Sequence, residues 1–457
     1  MRFDPLLRMV NYGRIPIRVV TVIAAVIIIF VIGVSGLFSL NPLAPLYAGL
    51  AVFAVFAFLF WLIKPVWGFY TAIFLVFLPL GLIPTGLQST LNRAATLGAL
   101  IVWGADVALH RRRLVISYAA VFMAVFLIWG LATLGWTVDF SASLEILQTY
   151  SMRFLLFLLL AANLVNSRSS MEDLMKVLAL NGWILMAAFV VTLLVSGYSP
   201  GSRIKILSMN ENEAASFGLL AIPGVFWGAV RSESHWTSLK TWIPFLYLGL
   251  AACLVAMSGS RGAAISLALD LAIMLFFRKT RRYSLAALGM AGVGFLIAPG
   301  IFTTLVNRFG VEAGDTLLGG REAIWQAAWM LILNHFWTGV GIGAAPIAIV
   351  AIIRQYTSAY GYATASIHNP VLTVWAETGI IGLVLYLGVA ASAVLAFLKN
   401  MLMTLKNSPD WVQTYFALIG PVSVGSFASW IKGGGAEYEF AFFFTLALLA
   451  FSSSLPS

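Results

Sequence analysis

The chain has 457 residues, of which 61% are hydrophobic and 10% charged, and its formal net charge at pH 7 is +10. Together with a mean hydropathy of +0.96, this composition excludes a water-soluble globular protein and indicates a polytopic membrane protein. The apolar runs do not alternate in polarity as barrel strands do, so we expect an all-α fold. Because a hydrocarbon core of about 30 Å requires about 20 apolar residues per helix, the length allows roughly twelve to fourteen spans.

In chain order, the hydropathy pattern predicts fourteen spans whose boundaries are soft by several residues. They are 16–38, 43–63, 66–86, 94–109, 114–135, 150–166, 175–197, 212–230, 241–258, 261–277, 283–299, 370–398, 411–431 and 436–454. We therefore expect one integrated membrane domain in three parts. Residues 1–299 form an N-terminal bundle, residues 300–369 form a periplasmic loop with interfacial helices, and residues 370–457 form the C-terminal helices.

Basic residues set the predicted orientation. Arg2, Arg8, Arg14 and Arg18 precede the first span, and no cleavable small-residue site is evident after it. This pattern indicates an uncleaved anchor with its N-terminus in the cytoplasm, and the span count then places both termini there. The positive charge mostly reflects this topology, and no basic groove with interleaved aromatic residues indicates nucleic-acid binding.

Candidate metal and nucleotide sites are not evident. The single cysteine, Cys253, lies in a predicted span and rules out an internal disulfide framework or thiolate cluster. The four histidines lack neighbouring ligands at metal spacing. Neither a P-loop nor a dinucleotide fingerprint is present. We therefore expect no metal, no cofactor and no nucleotide-driven transport.

Several cations lie on the predicted outer side, against the orientation rule, and so require another explanation. Those near membrane level are Arg153, Arg203, Lys205, Arg261, Arg321 and Arg354. Arg261, in SGSRGAA (Ser258 to Ala264), joins two apolar runs. It is either an interfacial arginine whose head extends to water or an anion clamp whose planar fork matches phosphate oxygens. Flanking Gly259 and Gly262 would let a ligand approach the backbone.

Arg203 and Lys205 lie in a polar loop before the eighth predicted span. Their side chains are either solvated or bind an anion, and Asn210 or Asn212 is expected to cap the following helix. Arg153 follows an amphipathic stretch, Ser141 to Tyr150. An interfacial position is the favoured interpretation for Arg153, with a second phosphate contact as the alternative.

Between Trp325 and Tyr360 the outer segment stays strongly apolar. Such a surface predicts short helices on or in the outer leaflet, with Gly339, Gly341 and Gly343 forming a turn between them. We interpret His335 as structural.

His368 precedes the twelfth predicted span, with Asn369 as a helix cap and Pro370 in the first turn. An imidazole at this place can accept a proton near neutral pH or donate to a phosphate. Glu377 lies nine residues further on, where an ionisable group is costly. It is either functional or a buried partner of an arginine.

These motifs resemble the O-antigen ligase and polymerase superfamily of bacterial envelope glycosyltransferases, over roughly Ser199 to Leu398. NENEAA (Asn210 to Ala215) is similar to the family's Asn-Glu-x-Ala element, and SGSRGA (Ser258 to Ala263) to its Ser-Arg-Gly element. GREAIW with GVGIG, and then HNPVLTVWAETG (His368 to Gly379), resemble its later elements. Phe336 stands where the family commonly has proline, and Asn210 with Glu211 where Asp-Pro is usual.

The resemblance implies a GT-C-type fold in the bacterial inner membrane that moves a glycan from an undecaprenyl diphosphate carrier to lipid A core at the periplasmic face. Arg261 and Arg203 would hold the diphosphate, and His368 would assist the acceptor hydroxyl or the diphosphate. Arg321 and Glu377 match family positions that support the outer loop or the reacting groups. Neither metal nor nucleotide is implied.

Two alternatives remain open. A polymerase would use a second carrier-linked glycan as acceptor; ten residues between His368 and Gly379 favour a ligase, although Arg308 has Gly319 at the same interval. A lipid-linked glycan transporter would carry ionisable or broken-helix features near the midplane. The polar features of this sequence gather on one face, which favours an enzyme.

Overall fold

A computed structural model of the chain describes residues 55, 57–78, 85–111, 114–207, 209–231, 239–310, 322–356, 365–404, 409–432 and 436–451. Within these ranges every regular element is a helix. The prediction of an all-α, polytopic chain is therefore confirmed.

We number the described helices in chain order. They are α1 Pro65–Phe77, α2 Thr85–His110, α3 Tyr118–Thr133, α4 Phe140–Leu164, α5 Arg168–Ser196, α6 Glu211–Leu220, α7 Ile222–Arg231, α8 Leu239–Ser258, α9 Arg261–Met274, α10 Arg281–Ile297, α11 Thr303–Phe309, α12 Glu322–Asn334, α13 Ala345–Tyr356, α14 Pro370–Thr404, α15 Asp410–Lys432 and α16 Ala436–Phe451. A π-helical stretch, Phe154–Leu160, interrupts α4.

Six helical stretches in the described ranges are long and apolar enough to cross a bilayer. They are Phe140–Leu164, Arg168–Ser196, Glu211–Arg231, Thr241–Ser258, Pro370–Met403 and Asp410–Ile431. Each corresponds to a predicted span. The predicted span 283–299 leads instead into a bend of 104° between Arg281–Ile297 and Pro299–Phe309. The predicted span 16–38 lies outside the described residues, so the total count stays a prediction.

Polar residues mark the starts of several helices. Their side chains accept a hydrogen bond from an amide in the first turn, which satisfies a donor that would otherwise lack a partner. These N-caps are Ser117, Asp139, Ser167, Asn210 and Ser260. The cap at Asn210 decides between the two asparagines that the sequence left open.

Small residues let the helices approach closely, as in other membrane bundles. Helix α5 packs on α7, where a Cβ at Gly224 would lie 2.5 Å from the carbonyl oxygen of Met175. Helix α14 packs on α3, where a Cβ at Gly388 would lie 2.6 Å from the Phe122 ring. All these contacts belong to the larger of two compact units, which comprises Ile73–Arg93 and Leu114–Ser457.

The segment between α10 and α14 contains the short helices α11, α12 and α13. The predicted position of such helices on or in the outer leaflet stays a prediction. Helices α12 and α13 bury one face each in a shared apolar core that includes Leu331, Ile349 and Ile367. The chain turns between these two helices at Gly339 to Gly343, where the glycines were expected to form the turn. This small core also includes Ala376 and so extends to the first turns of α14.

Candidate functional site

Arg261 is the first residue of α9 and follows a tight turn after α8. Ser260 accepts a hydrogen bond from the Ala263 amide at 3.3 Å. Gly259 closes the turn with a φ of +62°. Ser260 is buried, whereas Arg261 is half-buried. The turn therefore places a guanidinium beside the positive end of a helix, and both favour an anion.

The loop that carries Arg203 lies along this same turn. The Ile204 amide donates to the Met257 carbonyl oxygen at 3.1 Å. Arg203 Nε donates to the Ser258 carbonyl oxygen at 2.7 Å. Arg203 and Arg261 therefore flank one turn, although 58 positions separate them in the sequence.

The first turn of α6 completes the surroundings of Arg203. Arg203 Nη2 donates to Asn212 Oδ1 at 2.9 Å, and Arg203 Nη1 lies 3.5 Å from Glu211 Oε2. The Asn212 amide donates in turn to Asn210 Oδ1 at 2.9 Å. The Arg203 side chain keeps 29% of its exposure. The guanidinium is therefore held in one orientation while part of it stays accessible.

Thr304, in the first turns of α11, holds the loop in place. Its hydroxyl lies 2.5 Å from the Tyr198 hydroxyl, accepts from the Gly201 amide at 3.1 Å and donates to the Ser202 carbonyl oxygen at 2.8 Å. The Thr304 methyl group lies 3.0 Å from the Cβ position of Gly259. Helix α11 thereby joins the Arg203 loop to the turn before Arg261.

Arg308, also on α11, is a third arginine at this turn. Its Cγ lies 3.3 Å from the Cβ position of Gly259, and the residue is exposed. In the sequence, Arg308 was noted only because Gly319 follows it at the same interval that separates His368 from Gly379. That spacing does not predict the contact between Arg308 and Gly259. We call Arg203, Arg261 and Arg308 the arginine cluster.

The remaining predicted anion ligands differ in their exposure and position. Lys205 is exposed on the same loop as Arg203. Arg321 lies outside the described residues. Arg153 is only 2% exposed and lies 6.0 Å from the centroid of the Tyr150 ring. The favoured interpretation of Arg153 as an interfacial residue is therefore wrong, because surrounding helices enclose it. Its role as a phosphate contact stays a prediction.

Gly262 lies in α9, and its Cβ position is 3.7 Å from Ser429 Oγ on α15. A Cβ at this distance would make an ordinary van der Waals contact, so the helix packing does not require glycine here. The expectation that Gly262 lets a ligand approach the backbone stays a prediction.

His368 lies immediately before α14 in a left-handed conformation, with a φ of +55°. Asn369 Oδ1 accepts from the amides of Val371 and Leu372 at 3.0 and 3.2 Å. The preceding carbonyl group, that of Ile367, accepts from Trp325 Nε1 at 3.0 Å. Because both flanks are held, the half-buried imidazole has a defined position at the positive end of α14.

Glu377 is buried in α14 and binds the glycine-rich turn between α12 and α13. Its carboxylate accepts hydrogen bonds from the backbone of Gly343 and Ala345. The Gly341 amide donates to its carbonyl oxygen at 2.9 Å. Two residues later Gly379 departs from helical geometry with a φ of +66°. Glu377 therefore joins two segments of backbone at a kink.

The structure thus forms two groups from the predicted residues. One contains Arg203, Asn212 and Arg261 around the Ser258 to Ser260 turn. The other contains His368, Asn369 and Glu377 along the first turns of α14.

Sequence reasoning missed Asp270, which is 1% exposed within α9. The expectation that polar features gather on one face is therefore incomplete, since Asp270 and Arg153 are both buried inside the bundle. In the described part of the chain, no three histidine, cysteine or acidic side chains lie close enough together to hold a metal ion.

Residues 246–387 match a family model described as O-antigen ligase. The resemblance inferred from the motifs is confirmed over these residues. The matched region contains Arg261, Arg308, His368 and Glu377, but not Arg203. No curated protein sequence matches the chain.

Proposed function

We propose that this chain, which carries an O-antigen ligase domain at residues 246–387, transfers a glycan from an undecaprenyl diphosphate carrier to a sugar hydroxyl of lipid A core at the periplasmic face of the bacterial inner membrane. The family match supports a membrane glycosyltransferase of the ligase and polymerase type. The observation that carries the finer proposal is the meeting of Arg203 and Arg261 at one turn.

In the proposed reaction the acceptor hydroxyl oxygen forms a bond to the anomeric carbon of the donor sugar. The bond from that carbon to the diphosphate oxygen breaks, and its electron pair leaves with the diphosphate. Negative charge therefore develops on the leaving group in the transition state. Arg203 and Arg261 would stabilise it, since fixed donors need no reorganisation when the charge appears.

Arginine suits this role because its planar fork donates two hydrogen bonds to neighbouring phosphate oxygens. Two N–H groups of Arg203 already donate hydrogen bonds to Ser258 and Asn212. These bonds orient the guanidinium before the glycan donor binds, which reduces the entropy lost on binding. The positive ends of α6 and α9 add to the local field.

The acceptor hydroxyl must lose its proton during the transfer. His368 would take it, or would hold the departing diphosphate as an imidazolium, because its ordinary pKa lies near neutrality. Either role requires that His368 and the arginine cluster face the same glycan donor. The proposal therefore predicts that one bound lipid diphosphate contacts His368 as well as the arginine cluster.

Reconstitution tests this proposal. Purified chain in liposomes receives undecaprenyl diphosphate oligosaccharide, with lipid A core in one arm and a second carrier-linked glycan in the other. A new glycosidic bond to lipid A core is the expected result. Extension of the second carrier-linked glycan alone would instead identify a polymerase, and translocation without a new glycosidic bond would identify a transporter.

The variants Arg203→Ala, Arg261→Ala and His368→Ala are expected to lose transfer in the productive arm. Arg168→Ala is the matched control, because Arg168 is an exposed cation at the start of α5 that pairs with Glu172. Retained turnover in a folded Arg261→Ala or His368→Ala variant would remove that residue from the proposed site.

A further inference from the structure

Helices α9 and α15 pack against each other along a polar seam that contains a buried carboxylate. Asp270 is 1% exposed and lies nine residues after Arg261, which is about 14 Å along the helix axis. Ionisable groups at such depth usually have a partner or a functional role. The proposed glycan transfer does not use Asp270.

Oxygen atoms line the same seam about one helical turn from this carboxylate. Ser266 Oγ, one turn before Asp270, lies 2.6 Å from the Gly425 carbonyl oxygen and 2.7 Å from Ser429 Oγ. The backbone of Gly425 also lies against the Asp270 carboxylate. A Cβ at Gly425 would lie 2.2 Å from Asp270 Oδ1, so the absence of a side chain there makes the space that the carboxylate occupies.

Among the described residues, Asp270 Oδ1 has no hydrogen-bond partner. No described charged side chain pairs with it either. The helices packed against α9 are α6, α8, α10, α11 and α15. Their described titratable or charged groups are Glu211, Glu213, Tyr247, Cys253, Arg281, Arg282, Tyr283, Arg308, Asp410 and Tyr415. None of these forms a hydrogen bond or an ion pair with Asp270 within the described part of the chain.

An uncompensated carboxylate in such a place is costly, since the surrounding helices cannot solvate its charge. Neutralisation requires a positive charge small enough for a tightly packed seam. We infer that Asp270, with Ser266, Ser429 and Gly425, forms a binding site for a small monovalent cation, either a proton or Na⁺. Carboxylate, hydroxyl and carbonyl oxygens are the ligands that hard cations prefer.

This site goes beyond the proposed glycan transfer and also bears on it. A bound cation would join α9 to α15, and Arg261 is the first residue of α9. Occupancy would therefore stabilise the helix pair that positions one arginine of the cluster. Loss of the cation would leave a buried charge and weaken the same packing.

Thermal unfolding of the purified full chain in detergent tests the inference. Wild type and Asp270→Asn are compared from pH 5 to 9 in choline chloride, KCl and NaCl at constant ionic strength. If the ligand is a proton, the folded state binds one more proton than the unfolded state, so wild-type stability falls as pH rises. The limit is about a tenfold change in the unfolding constant per pH unit.

If the ligand is Na⁺, NaCl raises the unfolding midpoint of wild type at high pH, whereas KCl and choline chloride do not. The stabilisation grows with the ratio of Na⁺ concentration to its dissociation constant. Asp270→Asn is neutral and nearly isosteric, so its unfolding is expected to lose the dependence found in wild type. Asp410→Asn is the control, because this half-exposed carboxylate on the same α15 pairs with Lys279 and should leave the dependence in place.

Parallel responses of wild type and Asp270→Asn to pH and to all three salts would overturn the inference. If Asp270→Asn does not fold, Ser266→Ala decides, since it removes one oxygen ligand and should weaken the wild-type response. An unchanged response in Ser266→Ala would then count against the site. Because unfolding is the readout, the result does not depend on whether the chain transfers glycans.

Discussion

Two glycine-containing segments of this chain look alike in sequence and differ in the structure. In the first, SGSRG, the Cβ positions of Gly259 and Gly262 lie 3.0 and 3.7 Å from side-chain atoms. In the second, GVGIG, the Cβ positions of Gly339, Gly341 and Gly343 lie 2.2 to 2.8 Å from other atoms. The first segment carries one partly exposed arginine, Arg261, whereas the second is enclosed by protein.

The charged residues of the two regions differ in the same way. Glu377, beside GVGIG, is buried and its carboxylate binds backbone amides. Arg203, beside SGSRG, is also hydrogen-bonded but keeps part of its surface accessible. The comparison supports the proposal that the first region binds a ligand, whereas the contacts of the second region hold segments of the fold together. Glycine with a charged neighbour is therefore not by itself evidence of a phosphate site.

The largest effect is expected from Gly379→Ala, which should prevent accumulation of folded protein. The φ of Gly379 is +66°, and a Cβ there would lie 2.1 Å from the Trp337 carbonyl oxygen. Left-handed geometry and the backbone clash together cost about 3 kcal/mol or more. Size-exclusion profiles and thermal unfolding in detergent measure the loss.

Gly289→Ala is the matched control, because no atom lies within 4 Å of its Cβ position in α10. It should leave stability unchanged or raise it by up to about 1 kcal/mol. A well-folded Gly379→Ala variant would contradict the structural role of the GVGIG region.

Arg261→Ala is expected to have the next largest effect, on catalysis instead of folding. Removal of one fixed donor to a developing anion typically lowers kcat by about 10²- to 10³-fold. The unfolding midpoint should stay near that of wild type, since the Arg261 side chain is half-buried at a helix start. Initial rates of glycan transfer in liposomes measure the change. The transfer rate of Arg261→Lys should lie between those of wild type and Arg261→Ala, because lysine keeps the positive charge but lacks the planar pair of N–H donors.

Glu377→Gln should reverse this pattern. The neutral amide keeps one acceptor oxygen for the two backbone donors at Gly343 and Ala345. We expect a loss of about 1–3 kcal/mol in unfolding free energy, with little change in kcat per folded molecule. Chemical denaturation and transfer rates, each normalised to folded protein, check this. A collapse of kcat with intact stability would place Glu377 in the reaction and erase the contrast between the regions.

The smallest effect is expected from Asn212→Ala, which removes one hydrogen bond that orients Arg203. A loss of about 1 kcal/mol corresponds to roughly fivefold weaker binding of the glycan donor. The change should appear in KM for the lipid diphosphate, since the guanidinium itself remains. Asn166→Ala is the control, because Asn166 Nδ2 donates a local hydrogen bond to the Asn163 carbonyl oxygen. Equal KM values in all three proteins would show that this bond does not prepare Arg203.

The sequence predicted much of this architecture. Apolar runs located the long helices, and Asn369 marked the start of α14. Arg203 and Arg261 stood out because they oppose the orientation rule for basic residues. The family resemblance implied a common role for the two, whereas their meeting at one turn depends on tertiary contacts.

Other features depend on tertiary contacts that local patterns do not encode. Arg153 has the same sequence surroundings as an interfacial arginine, yet neighbouring helices bury it. Arg308 reaches Gly259 only because α11 bends back after α10. The sequence analysis did not identify Asp270 as a candidate site residue, because one carboxylate barely changes the average hydropathy of an apolar run.

The central claim is that the arginine cluster binds a lipid diphosphate, and direct binding tests it. The affinity of purified chain for undecaprenyl diphosphate is measured for wild type, Arg261→Ala and Glu377→Gln, with folding verified for each. We predict about 10- to 100-fold weaker binding by Arg261→Ala, since a hydrogen bond to a charged group contributes about 1.5–3 kcal/mol. Binding by Glu377→Gln should match wild type. Equal affinities of wild type and folded Arg261→Ala would contradict the account.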